Sequence, residues 1–271
     1  MLQVIGLCRF SYPTFNGQGF KEPLKYNNTQ LRHRLNLFEK ICLPSIVSQT
    51  DHRFVLVILV GENMPYLGEL RRLVRNRNQI VIFKQPEHLP HLEVCARAMS
   101  EYRKDRATHI AEFCMDDDDA VHKTFIAKTR DMFRIIKPML DDGRPVELDF
   151  CRGFAARHYE SSLTLKHVVM PHWTPAQVIF QLASSKKNLF EFNHYRFWRS
   201  RTCVSVAENP MFIRTFHDYN DSGTKWENML HDGAYGNPKE ILPEEFGIVD
   251  IGAEYFDTGG GESNNQVKKT S

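Results

Sequence analysis

Residues 108–121 read THIAEFCMDDDDAV, an apolar run that passes directly into four consecutive aspartates. The run over residues 108–115 is rich in apolar side chains and predicts a β-strand. In open α/β sheets, ligands bind beyond the carboxyl ends of the strands, because loops there vary while the sheet holds them in place. The sequence therefore predicts a ligand site at residues 116–119.

The rest of the first 150 residues alternates apolar runs with helical patterns. Residues 54–60, FVLVILV, form a continuous apolar run that is typical of a strand covered on both faces. Further strands are predicted at residues 3–8, 80–83 and 145–151, and helices at residues 29–47, 65–76, 92–103 and 121–140, with Thr29 as the first N-cap. This order predicts an α/β fold with a mostly parallel central sheet flanked by helices.

The second half of the chain has a looser pattern. Shorter segments such as LTLKHVVM and AQVIFQLA predict antiparallel strands and long loops added to the first sheet. A length of 271 residues with 42% hydrophobic content fits one domain, which we place at residues 1–257 with halves at 1–150 and 151–257. Residues 258–271 are rich in Gly, Ser and Asn and predict a disordered tail.

Charge and cysteine content exclude several classes of protein. The formal net charge is +2, from 35 Lys+Arg against 33 Asp+Glu, so no overall field recruits nucleic acid or an anionic membrane. The 6 cysteines form no C-x-x-C pair, which argues against a zinc knuckle and favours reduced thiols. With no basic leader and no apolar stretch of about 18 residues, the sequence predicts a cytoplasmic protein.

The acidic run has the pattern of a metal site of the D-x-D type. Side chains two residues apart on an extended segment face the same side, so Asp116 and Asp118 are predicted to face one cation. Asp117 and Asp119 are then expected to face backbone donors or loops. Adjacent carboxylates repel one another, and Mn²⁺ or Mg²⁺, which prefer oxygen ligands, would compensate them. The alternative is a solvated acidic turn at the start of the following helix.

Two other segments carry weaker signals. Residues 190–201, FEFNHYRFWRSR, interleave aromatic and basic side chains that could stack on a sugar or a base, although core packing with exposed Arg tips explains them as well. A basic cluster in the helix predicted at residues 65–76 and just beyond it could make a peripheral membrane contact, with a solvated face as the alternative: Arg71, Arg72, Arg75 and Arg77.

The sequence resembles the GT-A glycosyltransferases, and within them the bacterial putative rhamnosyltransferase family. The matching stretches are RFSY with the nearby GQGF, then LRHRLNLFEKICLPSIVSQTDHRFVLVILVGENMP, then FCMDDDDAVHKTF, and HDYNDSG downstream. Together they cover most of the first 150 residues and a short part of the rest. The resemblance implies a GT-A-like, Rossmann-like sheet and a nucleoside-diphosphate sugar as the donor substrate.

The resemblance also implies roles for individual residues. It places nucleotide contacts at Arg9, Glu62 and Arg97, donor binding at Asp116 and Asp117, and metal binding at Asp116 and Asp118. The chain departs from the family at Glu62, where related enzymes carry Asp in a DDGS-like turn and this chain has GENMP. An exposed loop carboxylate is the alternative for Glu62.

The segment FHDYNDSGTKWENMLHDG supplies candidates for the rest of a catalytic site. His217 could be a further metal ligand or a hydrogen-bonded structural histidine. Inverting transfer needs a carboxylate that takes the acceptor hydroxyl proton, and Asp221 and Glu227 are the candidates.

The predicted function is therefore metal-dependent, inverting transfer of a sugar, with rhamnose suggested by the resemblance, to a hydroxyl acceptor. The acceptor would be a glycan, a lipid-linked molecule or a small hydroxyl compound, with no nucleic-acid partner. Two alternatives remain open: a D-x-D phosphatase, and a non-catalytic nucleotide- or glycan-binding protein of the same fold. The phosphatase is disfavoured because no D-x-D follows the first strand.

Overall fold

The computed structural model describes residues 1–12, 26–159, 162–192, 194–217, 226–233, 235–249 and 254–257. The strands are β1 Leu2–Arg9, β2 Phe54–Gly61, β3 Ile80–Gln85, β4 His109–Asp116, β5 Ala120–Val121, β6 Val146–Phe150, β7 Arg152–Tyr159, β8 Ser162–Val169, β9 Gln177–Leu182, β10 Thr202–Val206, β11 Phe212–Phe216 and β12 Glu254–Asp257. The α-helices are α1 Asn28–Leu37, α2 Leu43–Val47, α3 Leu67–Leu73, α4 His91–Glu101, α5 Phe125–Ile136 and α6 Pro238–Phe246.

A seven-stranded sheet forms the centre of the fold, in the order β10-β6-β9-β4-β1-β2-β3. Only β9 runs antiparallel to its neighbours in this sheet. Alternate residues of β1 pack on opposite faces: Val4 belongs to the same core cluster as Phe38, and Ile5 to the same cluster as Val94 of α4. The expected α/β fold with a mostly parallel sheet flanked by helices is confirmed.

A second sheet of five strands lies beside the first, in the order β12-β8-β7-β11-β5. The expected addition of antiparallel strands to the first sheet is confirmed for AQVIFQLA, which forms β9, whereas LTLKHVVM forms β8 in the second sheet and β10 joins the first sheet parallel to β6. Val121 of β5 pairs with Phe212 of β11, so the chain leaves the first sheet at Asp116 and enters the second at Ala120. The acidic run is the connection between the two sheets.

The helix predicted at residues 29–47 is divided in the structure. α1 ends at Leu37, a π-helical turn covers Phe38–Cys42, and α2 begins at Leu43. Pro44 has no backbone N–H to donate to a carbonyl of the preceding turn, which favours a local change of hydrogen-bond pattern. The N-cap is Asn27 rather than Thr29, because the Asn27 side chain accepts from the backbone N–H groups of Thr29 and Gln30.

The helix predicted at residues 121–140 also starts later than expected. Val121 belongs to β5 and pairs with Phe212 of β11. Because the backbone before Phe125 is hydrogen-bonded in this way outside the helix, α5 begins only at Phe125. Among the described residues, no helix has both the length and the apolar character needed to cross a membrane. The predicted tail at residues 258–271 lies outside the described residues.

Candidate active site

The acidic run begins where β4 ends beside β1. Arg9 and Asp116 face each other in the parallel register of these strands, and an Arg9 Nη2 to Asp116 Oδ1 ion pair of 2.9 Å joins them. His91, the first residue of α4, lies 3.1 Å from Arg9 through its Nε2 atom. Burial alone would raise the pKa of Asp116, but Arg9 and Arg214 outweigh it and hold that pKa at about 2. Asp116 is therefore a carboxylate at neutral pH.

Asp117 turns away from its neighbours and binds Arg34 of α1. The Arg34 Nε atom lies 2.9 Å from Asp117 Oδ2, and Arg34 Nη2 lies 2.7 Å from Oδ1. Asp117 is fully buried, and burial raises its pKa to about 6 although Arg34 opposes the rise. This fork-like pair anchors the acidic run to the helical layer beside the sheet.

The other three carboxylates converge. Each of Asp116, Asp118 and Asp119 offers one oxygen, and these atoms lie within 4.8 Å of one another. The expectation that Asp119 faces only backbone donors was half right: its Oδ1 accepts from the Thr215 N–H at 2.9 Å. It joins the cluster because β4 ends at Asp116 and the run then turns, so side chains no longer alternate as on a strand.

The chemistry of this cluster fits a divalent cation. Asp119 Oδ2 is buried and, among the described residues, has no hydrogen-bond partner. Burial, followed by the charge of Asp118, raises the pKa of Asp119 well above its ordinary value. An oxygen-rich set with an unpaired buried oxygen is what Mg²⁺ or Mn²⁺ binds, and a cation there would remove the penalty on the Asp119 carboxylate.

His217 and Arg214 bring the second sheet to this cluster. His217 follows β11, and its Nε2 lies 2.8 Å from Asp118 Oδ2, while its ring meets the edge of the His33 ring at 4.9 Å. Arg214 is buried on β11 with its guanidinium 5.2 Å from the centre of the Trp173 ring, and its charge lowers the pKa values of Asp116 and Asp119. The site is thus built from both sheets.

Other residues singled out in the sequence lie apart from the cluster or outside the described residues. Glu62 is exposed just beyond β2, and its backbone N–H donates to the Gln85 carbonyl. Arg97 is bound on the surface of α4 by Gln85 at 3.0 Å and Glu93 at 3.4 Å. Glu227 is exposed and lies 3.5 Å from Arg157, and Asp221 lies outside the described residues.

Sequence reasoning missed Arg34, Arg214, His91 and the participation of Asp119. Arg34 meets Asp117 across 83 positions of sequence, and spacing does not reveal such a pair. Arg214 did leave a signal, because FIRTF alternates so that Phe212, Arg214 and Phe216 share one face of a strand. A charged residue on the apolar face of a strand suggests a buried partner.

Comparison with known proteins gives a family match and distant structural matches. Residues 3–228 match the family model described as putative rhamnosyl transferase. A comparison with curated protein sequences gives no match.

Several solved structures are similar to this chain. One is S. aureus TarS, residues 1–349, in complex with UDP, with a TM-score of 0.44 and 10% identity over 79% of this chain and 60% of that chain. A second is HddC from Yersinia pseudotuberculosis, with a TM-score of 0.37 and 13% identity over 79% of this chain and 93% of that chain. A third, described as a putative nucleotide-diphospho-sugar transferase from Desulfovibrio desulfuricans, has a TM-score of 0.37 and 9% identity over 80% of this chain and 82% of that chain. This chain therefore spans less than two thirds of the TarS chain.

Proposed function

The chain belongs to the putative rhamnosyl transferase family, a family of glycosyltransferases, and we propose that it moves a sugar from a nucleoside-diphosphate donor to a hydroxyl acceptor with the help of a divalent cation. The observation that carries the metal dependence is the convergence of Asp116, Asp118 and Asp119 within 4.8 Å at the carboxyl end of β4. Family membership supports the transfer itself. It also favours a transferase over a D-x-D phosphatase.

The acidic cluster would hold Mn²⁺ or Mg²⁺ through Asp116, Asp118 and Asp119. When bound, such a cation supplies positive charge that neutralises the departing nucleoside diphosphate. His217 could join these ligands if its Nε2 moved from Asp118 to the cation, since neutral imidazole is a metal ligand. The positions of the side chains and their donor chemistry support both roles.

Arg9 is the proposed ligand of the donor diphosphate. It lies at the carboxyl end of β1, where ligands bind in sheets of this type, and its ion pair with Asp116 sets it beside the acidic cluster. Its guanidinium presents several N–H groups in a planar fork, which suits phosphate oxygens. Asp117 would contribute indirectly, by fixing the acidic run against α1 through Arg34.

The nucleoside would lie beside the ends of β1 and β2. The turn after β2 is fixed by Glu87, which accepts from the backbone N–H of Asn63 at 2.8 Å and from the Tyr26 hydroxyl at 3.1 Å. This leaves the Glu62 side chain exposed at the mouth of that region, where it could bind a base or ribose. Arg97 would need to leave Gln85 and Glu93 to reach the same ligand.

Transfer by inversion requires a carboxylate at the acceptor hydroxyl, and Asp221 and Glu227 are the proposed bases. Glu227 is exposed, and among the described residues its ion-pair partner is Arg157, so its carboxylate is accessible to an acceptor that enters from solvent. Turnover of Asp221→Asn and Glu227→Gln distinguishes them, since loss of a general base lowers turnover by roughly 100-fold or more while nucleotide binding persists. Near-normal turnover in both variants would exclude both residues as the base.

A thermal-shift panel tests the proposal as a whole. UDP, dTDP and GDP are each added with and without Mn²⁺, and a nucleotide that binds the folded protein raises its melting temperature by mass action. We expect one nucleotide to act strongly and only in the presence of Mn²⁺. No shift from any nucleotide, or shifts of equal size without Mn²⁺, would contradict a metal-dependent nucleotide-sugar enzyme. A donor that binds but is never consumed would favour the non-catalytic alternative.

A further inference from the structure

A second group of side chains that could bind a metal ion lies near the β10 edge of the large sheet. β6 and β10 pair in parallel at its edge, and their register sets Glu147 beside Cys203 and Asp149 beside Ser205. Because residues two apart share a face, these four polar side chains occupy one face of the edge. His172, from the loop between β8 and β9, completes the group.

The contacts within this group are short. Glu147 Oε1 lies 2.7 Å from His172 Nδ1, and Cys203 Sγ donates to Glu147 Oε2 at 2.8 Å. One donor atom from each of Glu147, His172 and Cys203 lies within 4.8 Å of the other two. A carboxylate, an imidazole and a thiol are therefore gathered at a spacing that a single ion can bridge.

The poorly satisfied carboxyl group near this site is that of Asp149, because both oxygens of Glu147 have partners and its Oε1 also accepts from Gln177 Nε2 at 2.5 Å. Glu147 and Asp149 are both fully buried and lie on the same face of β6, which sets two carboxyl groups close together away from water. The Asp149 Oδ2 atom accepts from the Ser205 hydroxyl at 3.3 Å, whereas the buried Asp149 Oδ1 has no hydrogen-bond partner among the described residues. Asp149 therefore adds negative charge two residues from Glu147 on the same face, and a cation held by Glu147, His172 and Cys203 would offset that charge.

We propose that Glu147, His172 and Cys203 bind a zinc ion through one donor atom each, with the nearby charge of Asp149 supporting the cation. Zn²⁺ accepts thiolate, imidazole and carboxylate ligands together and favours four of them, whereas Mg²⁺ and Mn²⁺ favour oxygen. The two clusters therefore select different ions. The zinc site would join the edge strand β10 and the loop before β9 to β6, so its role is to stabilise the sheet edge.

Two side chains of the group are accessible to solvent, so an ion can reach them. His172 keeps 18% of its side chain exposed, Cys203 is half-buried, and the exposed Trp198 stacks on His172 with ring centres 6.5 Å apart. The Cys203 thiol now donates a hydrogen bond to Glu147. Its proton must be released when the thiolate binds zinc, and this leaves the Glu147 oxygen available as a ligand. Binding should therefore release at least one proton per ion.

Cobalt absorption tests the proposal on the whole chain. After treatment with a chelator, Co²⁺ is added as a spectroscopic substitute for Zn²⁺, and a thiolate-to-cobalt charge-transfer band in the near ultraviolet reports a cysteine ligand. We expect a band that saturates at one equivalent, disappears on adding Zn²⁺, and is lost in Cys203→Ser. Cys151→Ser is the matched control, since Cys151 lies next to β6 with its thiol on the Val206 carbonyl, and it should retain the band. Asp118→Asn should retain it too, which separates this site from the acidic run.

Two outcomes of the cobalt titration would contradict the proposal. Absence of a band in the folded wild type, or a band that survives in Cys203→Ser, would exclude Cys203 as a ligand. If Cys203→Ser does not fold, His172→Gln serves instead, because His172 lies on a loop and is partly exposed. That variant should weaken zinc binding by more than the roughly 10–100-fold that follows loss of a residue supporting a ligand. Unchanged zinc affinity in His172→Gln would contradict the site.

Discussion

Arg9 and Asp116 occupy facing positions at the carboxyl ends of β1 and β4, and a 2.9 Å ion pair joins their side chains. The centre of the large sheet thus fixes a positively charged side chain beside the acidic cluster. This relationship leads to a first prediction about nucleotide binding.

Arg9→Gln should weaken binding of the nucleoside diphosphate. Hydrogen bonds to charged groups contribute about 1.5–3 kcal/mol, so the expected loss is roughly 10–100-fold in Kd, measured by calorimetric titration in the presence of Mn²⁺. Arg97→Gln is the matched control, because Arg97 is bound on the surface by Gln85 and Glu93 and should lose less. Equal affinity of Arg9→Gln and wild type would exclude Arg9 from the donor site.

The pair of Arg34 and Asp117 should make a large contribution to stability. Arg34→Gln leaves the fully buried Asp117 without its partner, and breaking a buried pair in this way destabilises by about 3–5 kcal/mol. The double variant Arg34→Gln with Asp117→Asn removes the stranded charge and should unfold at higher denaturant concentration than the single variant. Additive losses in the double variant would show that the two side chains do not depend on each other.

Two glycines should respond to alanine in opposite directions. A Cβ atom at Gly6 would lie 2.2 Å from the Phe113 ring inside the core, so Gly6→Ala forces a core shift that costs about 1–3 kcal/mol. Gly68 lies in α3 with nothing within 4 Å of an added Cβ, and Gly68→Ala should stabilise by about 0.5–1 kcal/mol. Chemical denaturation measures both changes, and a neutral Gly6→Ala would contradict the packing of β1 against β4.

Stability should fall at mildly acidic pH through His122. Burial, and then the charges of Lys123 and Lys128, lower the pKa of His122 to about 4. In the unfolded chain, His122 gains a proton near the ordinary histidine pKa of about 6.5, whereas in the folded protein it stays neutral down to about pH 4. The contribution of neutral His122 to stability is therefore present above pH 6.5 and is lost as the pH falls from 6.5 towards 4.

His122→Asn tests this dependence. Asparagine keeps an acceptor for the Thr124 N–H, which now donates to His122 Nδ1 at 3.0 Å, but it does not titrate. The melting temperature of the variant should therefore decline less than that of the wild type between pH 7.5 and 4.5. If the melting temperatures of the two proteins declined equally, His122 would have the same pKa in the folded and the unfolded chain, which contradicts the prediction.

The parts of the fold that the sequence predicted are those set by local pattern. The run FVLVILV and the run before Asp116 identified β2 and β4, because a buried strand needs apolar side chains on both faces. The long first helix was predicted without its π-helical turn, although Pro44 lies in the sequence as a signal of interruption.

The contacts that complete the site depend on tertiary structure. Thr215 meets Asp119 across 96 positions, and His217 meets Asp118 across 99, because β5 and β11 pair in a second sheet that the alternating segments did not indicate. Local periodicity shows which face of a strand is buried, but it does not show which distant strand pairs with it. The acidic run was therefore identified from sequence, whereas the third carboxylate and the arginines around it required the structure.

The most direct test of the account is calorimetric titration of wild type and Asp118→Asn with UDP, dTDP and GDP, each with and without Mn²⁺. Asn keeps the size of Asp118 but removes the charge that would hold the cation beside Asp116 and Asp119. Asp117→Asn removes a charge from the same run but keeps an amide oxygen that can accept from Arg34 Nη2, and circular dichroism checks that both variants fold. We predict that Mn²⁺ tightens nucleotide binding to the wild type and to Asp117→Asn but not to Asp118→Asn. Metal-dependent tightening that persists unchanged in Asp118→Asn would contradict the assignment of the acidic cluster as the metal site.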